Sequence, residues 1–508
     1  MKLAVRRALA GERRRWIALV VVCFAMLMNA LDQTIVNVAL PTIQRELHFS
    51  QAGLSWVIDA YLITFGGTLL LAGRLGDLIG RKRVFMAGVA LFTLSSAVCG
   101  ASSSQGMLIG ARFVQGLGAA LSSSVILAII VTEFPNAIER TKAMSAYVFV
   151  AVGGGAVGLL VGGVLTQALS WHWIFFINIP IGVVTLAAGW RLIDENIGLG
   201  FGRGVDIAGA VLSTVGMLGL VYTIVTSSDY GWGSAHTAAF GAASIVMLVA
   251  FVWWEGRAAD PIMPLRIFSS PGLVRSSIVR FLVVVGMYSI FFIGALYLQH
   301  ILGFTTLQTG LAFLPQTLVV LALSLGLTAR LMAIMGAKRM AVLGIALVLA
   351  ALVLFSLAGA HTPYFPLLLV AFLLIGLGAG MLFTPLITIA VAGVQPKDAG
   401  LGSGIVNVFQ QVAAAIGVAV LATISQDHTS SQLAAGHPAK AALLSGYTLA
   451  FVVAACSVAV ALVLSIVLLP RDKAGSYVGG TVEHSGIAGD VVEELPLSVP
   501  AGTQPAVD

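Results

Sequence analysis

The sequence predicts an all-α polytopic membrane protein with fourteen transmembrane helices: two pseudo-symmetric six-helix bundles with two further helices inserted between them. Three observations predict it. Hydrophobic residues make up 59% of the 508 positions, charged residues only 9%, and the mean hydropathy is +1.01, which leaves too little polar surface for a soluble domain. Apolar runs of about 20 residues, each able to cross a hydrocarbon core of roughly 30 Å, recur along the whole length. With fourteen spans and a cytoplasmic amino terminus, all 27 Lys and Arg fall in cytoplasmic segments except Arg45, Lys440 and Arg112, as the positive-inside rule requires.

The elements run in order along the chain. A basic segment, 1–16, precedes the first span, 17–40, whose apolar run is too long for a secretory signal and lacks a small-residue cleavage pattern, so it is expected to remain as a helix. Spans 52–72 and 84–104 flank "GRLGDLIGRKR", 106–132 carries Arg112, 143–166 carries a glycine run, and 173–192 opens on "WHWIFF". These six form the first bundle, 17–192. Spans 205–226 and 237–254 lie in the insert, 193–277. The second bundle, 278–470, holds 278–299, 307–330, 340–359, 365–390, 400–424 and 444–469. The tail, 471–508, is mildly acidic, contains Gly and Pro, lacks apolar periodicity and is expected to be disordered.

The two bundles repeat one another. "GRLGDLIGRKR" (73–83) realigns with "ARLMAIMGAKR" (329–339), "QAGL" (51–54) with "QTGL" (308–311), and "GLGA" recurs at 116–119 and 376–379. Order and offset are nearly constant. Duplicated bundles are a common transporter construction, in which the halves rock about a site near the midplane.

Several of these strings resemble one family. "LDQTIVNVALP" (31–41) resembles the first-helix signature, and "GRLGDLIGRKRV" the loop motif, of the major facilitator superfamily and its fourteen-span drug:proton antiporter branch. "LIGARFVQGLGAA" (108–120) and "WHWIFFINIPIG" (171–182) resemble its fourth- and sixth-helix motifs, so the likeness covers roughly residues 15–470. Two strings depart from the pattern: Leu159 stands where the fifth-helix motif carries proline, and "NVFQQ" (407–411) lacks an arginine common before the glutamine.

Polar residues within spans mark the candidate site. Asn29, Asp32, Gln33 and Asn37 share an arc of about 140° at about 100° per residue, and lipid cannot satisfy such a stripe. Asp32, Asp59 and Arg112 are the ionisable side chains expected well inside spans, and counting about 1.5 Å per residue places all three roughly 9–14 Å below the outer surface. They read either as a fixed ion pair locking helices or as a proton-coupling site. Desolvation favours a neutral acid and a neighbouring guanidinium favours the carboxylate, so exposure to alternate sides would couple protonation to conformation. Asp32 ranks above Asp59 as proton carrier because its helix resembles the branch signature more closely, with Arg112 as electrostatic tuner.

Gln115 shares a face with Arg112, and Asn407, Gln410 and Gln411 add polar groups to the thirteenth span; these complete an expected substrate cavity, although interhelical bonding accounts for the last three equally well. Gly73 and Gly80 permit a tight turn. The resemblance implies that Asp77 and Arg81, with Lys82 beside them, latch a cytoplasmic gate against the thirteenth span. Gly154, Gly158, Gly162 and Gly163 have the spacing of a close helix-packing face. Cys23, Cys99 and Cys456 are expected to be small core residues, and seven of the eight histidines to lie at outer helix ends.

The expected function is export of hydrophobic or cationic drugs and antibiotics in exchange for protons, across a bacterial-type cell membrane, by a monomer with both termini cytoplasmic. Export of an endogenous metabolite, proton-linked import and a non-transporting receptor are the alternatives. No nucleophile–base pair, metal cluster or phosphate loop is present, so no cofactor, metal, enzymatic activity or nucleic-acid partner is expected.

Overall fold

The computed structural model describes residues 2–134, 136–195, 198, 206–258, 261–392 and 399–470. Among the described residues every regular element is helical. The first bundle comprises α1 (Lys2–Leu47), α2 (Trp56–Ile79), α3 (Arg81–Gly100), α4 (Gln105–Glu133), α5 (Ala137–Ala168) and α6 (Asn178–Leu192). The inserted pair is α7 (Ile207–Tyr230) and α8 (Ala235–Glu255). The second bundle comprises α9 (Pro271–Ser289), α10 (Thr306–Ala322), α11 (Ala337–Ser356), α12 (Leu369–Ala392), α13 (Ala399–Ala434) and α14 (Ala439–Leu468).

Thirteen of these stretches are long and apolar enough to cross a membrane. The fourteenth crossing is α10, where a π-helical turn, Leu323–Leu327, separates the apolar stretch from Thr328–Met335. The protein is therefore a multi-pass membrane protein. Large apolar side chains such as Ile245, Val246 and Val249 on α8 are exposed, as suits a surface solvated by acyl chains. Cys456 is likewise exposed, unlike the buried Cys99 and against the expectation of a core position. A small residue on a lipid-facing helix surface gives the same apolar signal as one in the core.

One expectation needs correction. The ninth span begins at Pro271, not near residue 278, because Pro271 starts the helix and Ser276 and Ser277 sit inside it, with Ser276 bonding back to Gly272 O (2.7 Å). Arg280 is thereby carried about 14 Å into the helix at about 1.5 Å per residue and is buried. Asp32, Asp59 and Arg112 are not the only ionisable groups deep in spans.

The internal repeat has a physical basis in helix crossings. A Cβ on Gly116 would meet Tyr61 O of α2 at 2.5 Å, and one on Gly118 would meet the backbone of Phe92 in α3 at the same distance. In the second copy a Cβ on Gly376 would meet Gln316 O of α10 at 2.5 Å and one on Gly378 would meet Gly344 O of α11 at 2.6 Å. Gly80 and Gly336 end their helices at φ +104° and +83°, where a side chain would be strained. Lys82 then donates to Trp190 O (2.8 Å) and Lys338 to Ile466 O (2.8 Å), at the ends of α6 and α14.

The halves meet along two seams, α5 with α10 and α2 with α13, and α7 packs against α2 and α13. In α5, a Cβ added to Gly154 would press on Ala30, one on Gly158 would meet Leu31 O at 3.0 Å and one on Gly162 would meet Ile35 O at 2.8 Å, all in α1, while one on Gly163 would meet Leu307 Cα of α10 at 2.9 Å. Gly158→Leu is expected to destabilise the protein by about 1–3 kcal/mol through overpacking, whereas Gly153→Leu, which faces open space, leaves thermal stability in detergent unchanged. Equal melting of the two variants would refute this packing account.

Candidate functional site

The polar residues of α1 diverge. Asn29 donates to Ser123 Oγ (2.7 Å) of α4, and Asn37 to the carbonyls of Gln33 (3.0 Å) and Thr34 (3.2 Å) in its own helix. Asp32 is fully buried and forms an ion pair with Arg112, itself 1% exposed. Gln115, one turn along α4, completes the arrangement: its Nε2 donates to Asp32 Oδ1 and to Ser96 Oγ of α3, both at 2.8 Å, and its Oε1 accepts from Arg112 Nη1 (2.8 Å). Asn178 of α6 donates to the same Ser96 hydroxyl (3.0 Å). Arg112 Nε donates to Val57 O (2.8 Å) in the first turn of α2, and its guanidinium lies 4.4 Å above the Tyr61 ring.

Asp59 stands two residues after Val57 and is also fully buried. Neither of its carboxylate oxygens has a hydrogen-bond partner, and the buried Ser55 hydroxyl one turn before it is unpaired as well. Of the three ionisable groups the sequence placed at one depth, the structure joins Asp32 and Arg112 and leaves Asp59 alone.

Gln33, Asn37, Tyr61 and Arg112 line a small cavity closed from the second half by Tyr288 of α9. Beyond it the halves are bonded across the seam at the helix ends remote from the start of α1: Gln51 to Ser425 Oγ (2.7 Å), Ala52 N to Gln426 Oε1 (3.1 Å) and Gln299 to Val38 O (2.9 Å). Gln411 is buried on α13, where its Cβ abuts Gly66 of α2, and Asn407 is half-buried one turn away. Gln410 turns instead into the second bundle, where it accepts from Arg280.

The proposed latch is described only in part. Arg81 donates to Thr132 Oγ1 of α4 (2.8 Å), and Gly73 faces Ser124. The Asp77 side chain, residues 393–398 and the side chains of 399–403, with which the expected partner helix α13 opens, lie outside the described residues. Sequence reasoning missed Tyr61, Ser96, Tyr288 and Arg280. Among the described residues no group of three His, Cys, Asp or Glu is arranged to hold a metal ion.

The sequence profile of the Major Facilitator Superfamily matches residues 22–418 and 276–497. The chain belongs to the major facilitator superfamily. Its relatives within that superfamily include the puromycin resistance protein pur8 of Streptomyces alboniger, 38% identical over 92% of this chain and 94% of the relative. The cephamycin export protein CmcT of Amycolatopsis lactamdurans is 37% identical over 86% of this chain and 88% of its own. The multidrug resistance protein Stp of Mycobacterium tuberculosis is 32% identical over 81% and 76%. Among solved major facilitator structures, the nucleoside transporter NupG superposes with a TM-score of 0.65 over 90% of this chain and all of its own, at 11% identity. A bacterial Spinster homologue, inward-facing and unoccupied, gives 0.63 over 90% and 97%, at 13% identity; these two show the fold. The protein is thus a membrane transporter rather than an enzyme.

Proposed function

We propose that the protein exports amphipathic small molecules of the antibiotic class across the cell membrane in exchange for protons, working as a monomer by alternating access. The observation that carries the reading is two fully buried carboxyls in unlike settings, Asp32 paired with Arg112 and Asp59, on the helix whose Val57 carbonyl holds Arg112 Nε, without a hydrogen-bond partner. The names of the relatives, a puromycin resistance protein and a cephamycin export protein, support the cargo class. The basic residues gathered at the ends nearest the start of α1 support a cytoplasmic placement of both termini.

In this reading Asp59 holds the transported proton while the outer seam is shut. A buried carboxyl lacking donors is tolerated far better neutral than ionised. When the halves rock and water reaches Asp59 from the cytoplasm, the proton leaves, and the new carboxylate competes with Asp32 for Arg112, whose Nε is already anchored at Val57 O. Moving Arg112 between two acids couples proton release to the shift of α2 against α1 and α4. The glycine-turn loop, with Asp77, Arg81 and Lys82, serves as the inner gate.

Reconstitution into proteoliposomes tests this. With an imposed pH gradient, puromycin and a lipophilic cationic dye are expected to accumulate against their own gradients while protons flow the opposite way, each pH unit supplying about a tenfold concentration ratio per proton exchanged. Uphill movement in the same direction as protons would establish import, and movement insensitive to collapse of the gradient would end the proton-coupled reading.

A further inference from the structure

Arg280 of α9 is a second buried guanidinium, 7% exposed, but its surroundings differ from those of Arg112. Its Nη2 donates to Gln410 Oε1 of α13, and its plane lies 4.8 Å from the ring centre of Phe383 on α12. Nε and Nη1 have no acceptor. Among the described residues no carboxylate pairs with it, whereas Arg112 has Asp32, Gln115 and Val57. A guanidinium keeps its charge, and a buried charge without a counter-charge is among the most costly arrangements a fold can hold. Gln410 offers only a neutral dipole, and Phe383 only the face of a ring. The missing component is an anion.

The position says which kind. α9 also supplies Tyr288, which closes the cavity between the halves, and α13 supplies Gln411 at the seam with α2. A ligand in the space between the halves is bounded by these two helices on the side of the second bundle. The planar fork of an arginine matches a carboxylate, and the flanking Phe383 ring suits an apolar body attached to it. We infer that Arg280, Gln410 and Phe383 form a subsite for the carboxylate of an amphipathic organic acid, so that the cargo includes anions or zwitterions as well as cations. The inference rests on the transport reading. It also assigns opposite charge preferences to the two halves, acidic groups in the first and an unmatched base in the second.

The test needs no gradient, so its outcome is independent of proton coupling. Naphthalene-2-acetate and the uncharged naphthalene-2-acetamide are titrated calorimetrically into the full-length protein in detergent, with empty micelles as reference. The acetate is expected to bind about ten- to a hundredfold more tightly, the range of a charge-assisted hydrogen bond. Arg280→Gln should erase that preference while leaving amide affinity and a monodisperse elution profile intact, and Arg280→Lys should retain part of it. Equal affinities in the unmutated protein, binding of neither compound, or a preference that survives in Arg280→Gln would each overturn the subsite. If Arg280→Gln does not fold, Arg280→Lys decides: an undiminished preference in that variant overturns it too.

Discussion

Arg112→Ala is expected to destabilise the protein by about 3–5 kcal/mol, because it strands the fully buried Asp32 without its counter-charge. The same change frees Gln115 Oε1 and Val57 O from the donors they now accept from and removes the group resting on the Tyr61 ring. The measurement is the thermal midpoint of the detergent-solubilised protein. The diagnostic comparison is the double variant Asp32→Asn with Arg112→Gln, in which both charges go together. Removing both members of a buried pair costs less than breaking it, so the double variant should melt above Arg112→Ala. If it melts at or below that single variant, the pair is not the unit that stabilises α1 against α4.

Asp59→Asn is expected to act in the opposite way, leaving stability nearly unchanged while abolishing uphill transport. Asparagine is close to a carboxylic acid in shape and cannot ionise, so it copies the proton-loaded state of a side chain that has no partner to lose. In proteoliposomes the variant should still exchange substrate down its gradient, yet give no accumulation under a gradient of about two pH units, where one-for-one exchange would otherwise sustain roughly a hundredfold ratio. Asp32→Asn is expected to lose uphill transport as well, but with a lowered thermal midpoint, since it strips Arg112 of its carboxylate. Full pumping by Asp59→Asn would return the proton-carrying role to Asp32 or end it for both.

The fold class was legible because a hydrocarbon solvent leaves a chain few options: backbone polar groups must be bonded within helices, and apolar runs must match its thickness. The pairing of Asp32 with Arg112 was half legible. Counting along helices gave the common level, but three groups at one level do not say which two face each other, and that depends on how α1 rotates against α4. Arg280 was obscured because the preceding "SSPGLVRSSIV" reads as a polar, basic flank; only the placement of Pro271 at a helix start shows that this string forms the opening turns of a span. Tyr61 and Ser96 lie in apolar stretches where an aromatic or a hydroxyl reads as packing. The latch remains a sequence-level proposal, its central side chain lying outside the described residues.

The two seams between the halves also have a consequence for compounds already dissolved in the bilayer. Along α5 and α10, backbone approaches backbone at Gly163 and Gly310, and among the described residues neither inserted helix is packed over that seam. The opposite flank is roofed by α7, whose Thr214 sits over Gly67 of α2 and whose Ile224 carbonyl accepts from Thr423 of α13. A lipophilic molecule drifting in the leaflet therefore meets a sheathed side and an unsheathed one, and the additional hairpin gives this carrier a handedness towards the lipid that its paired halves alone would lack.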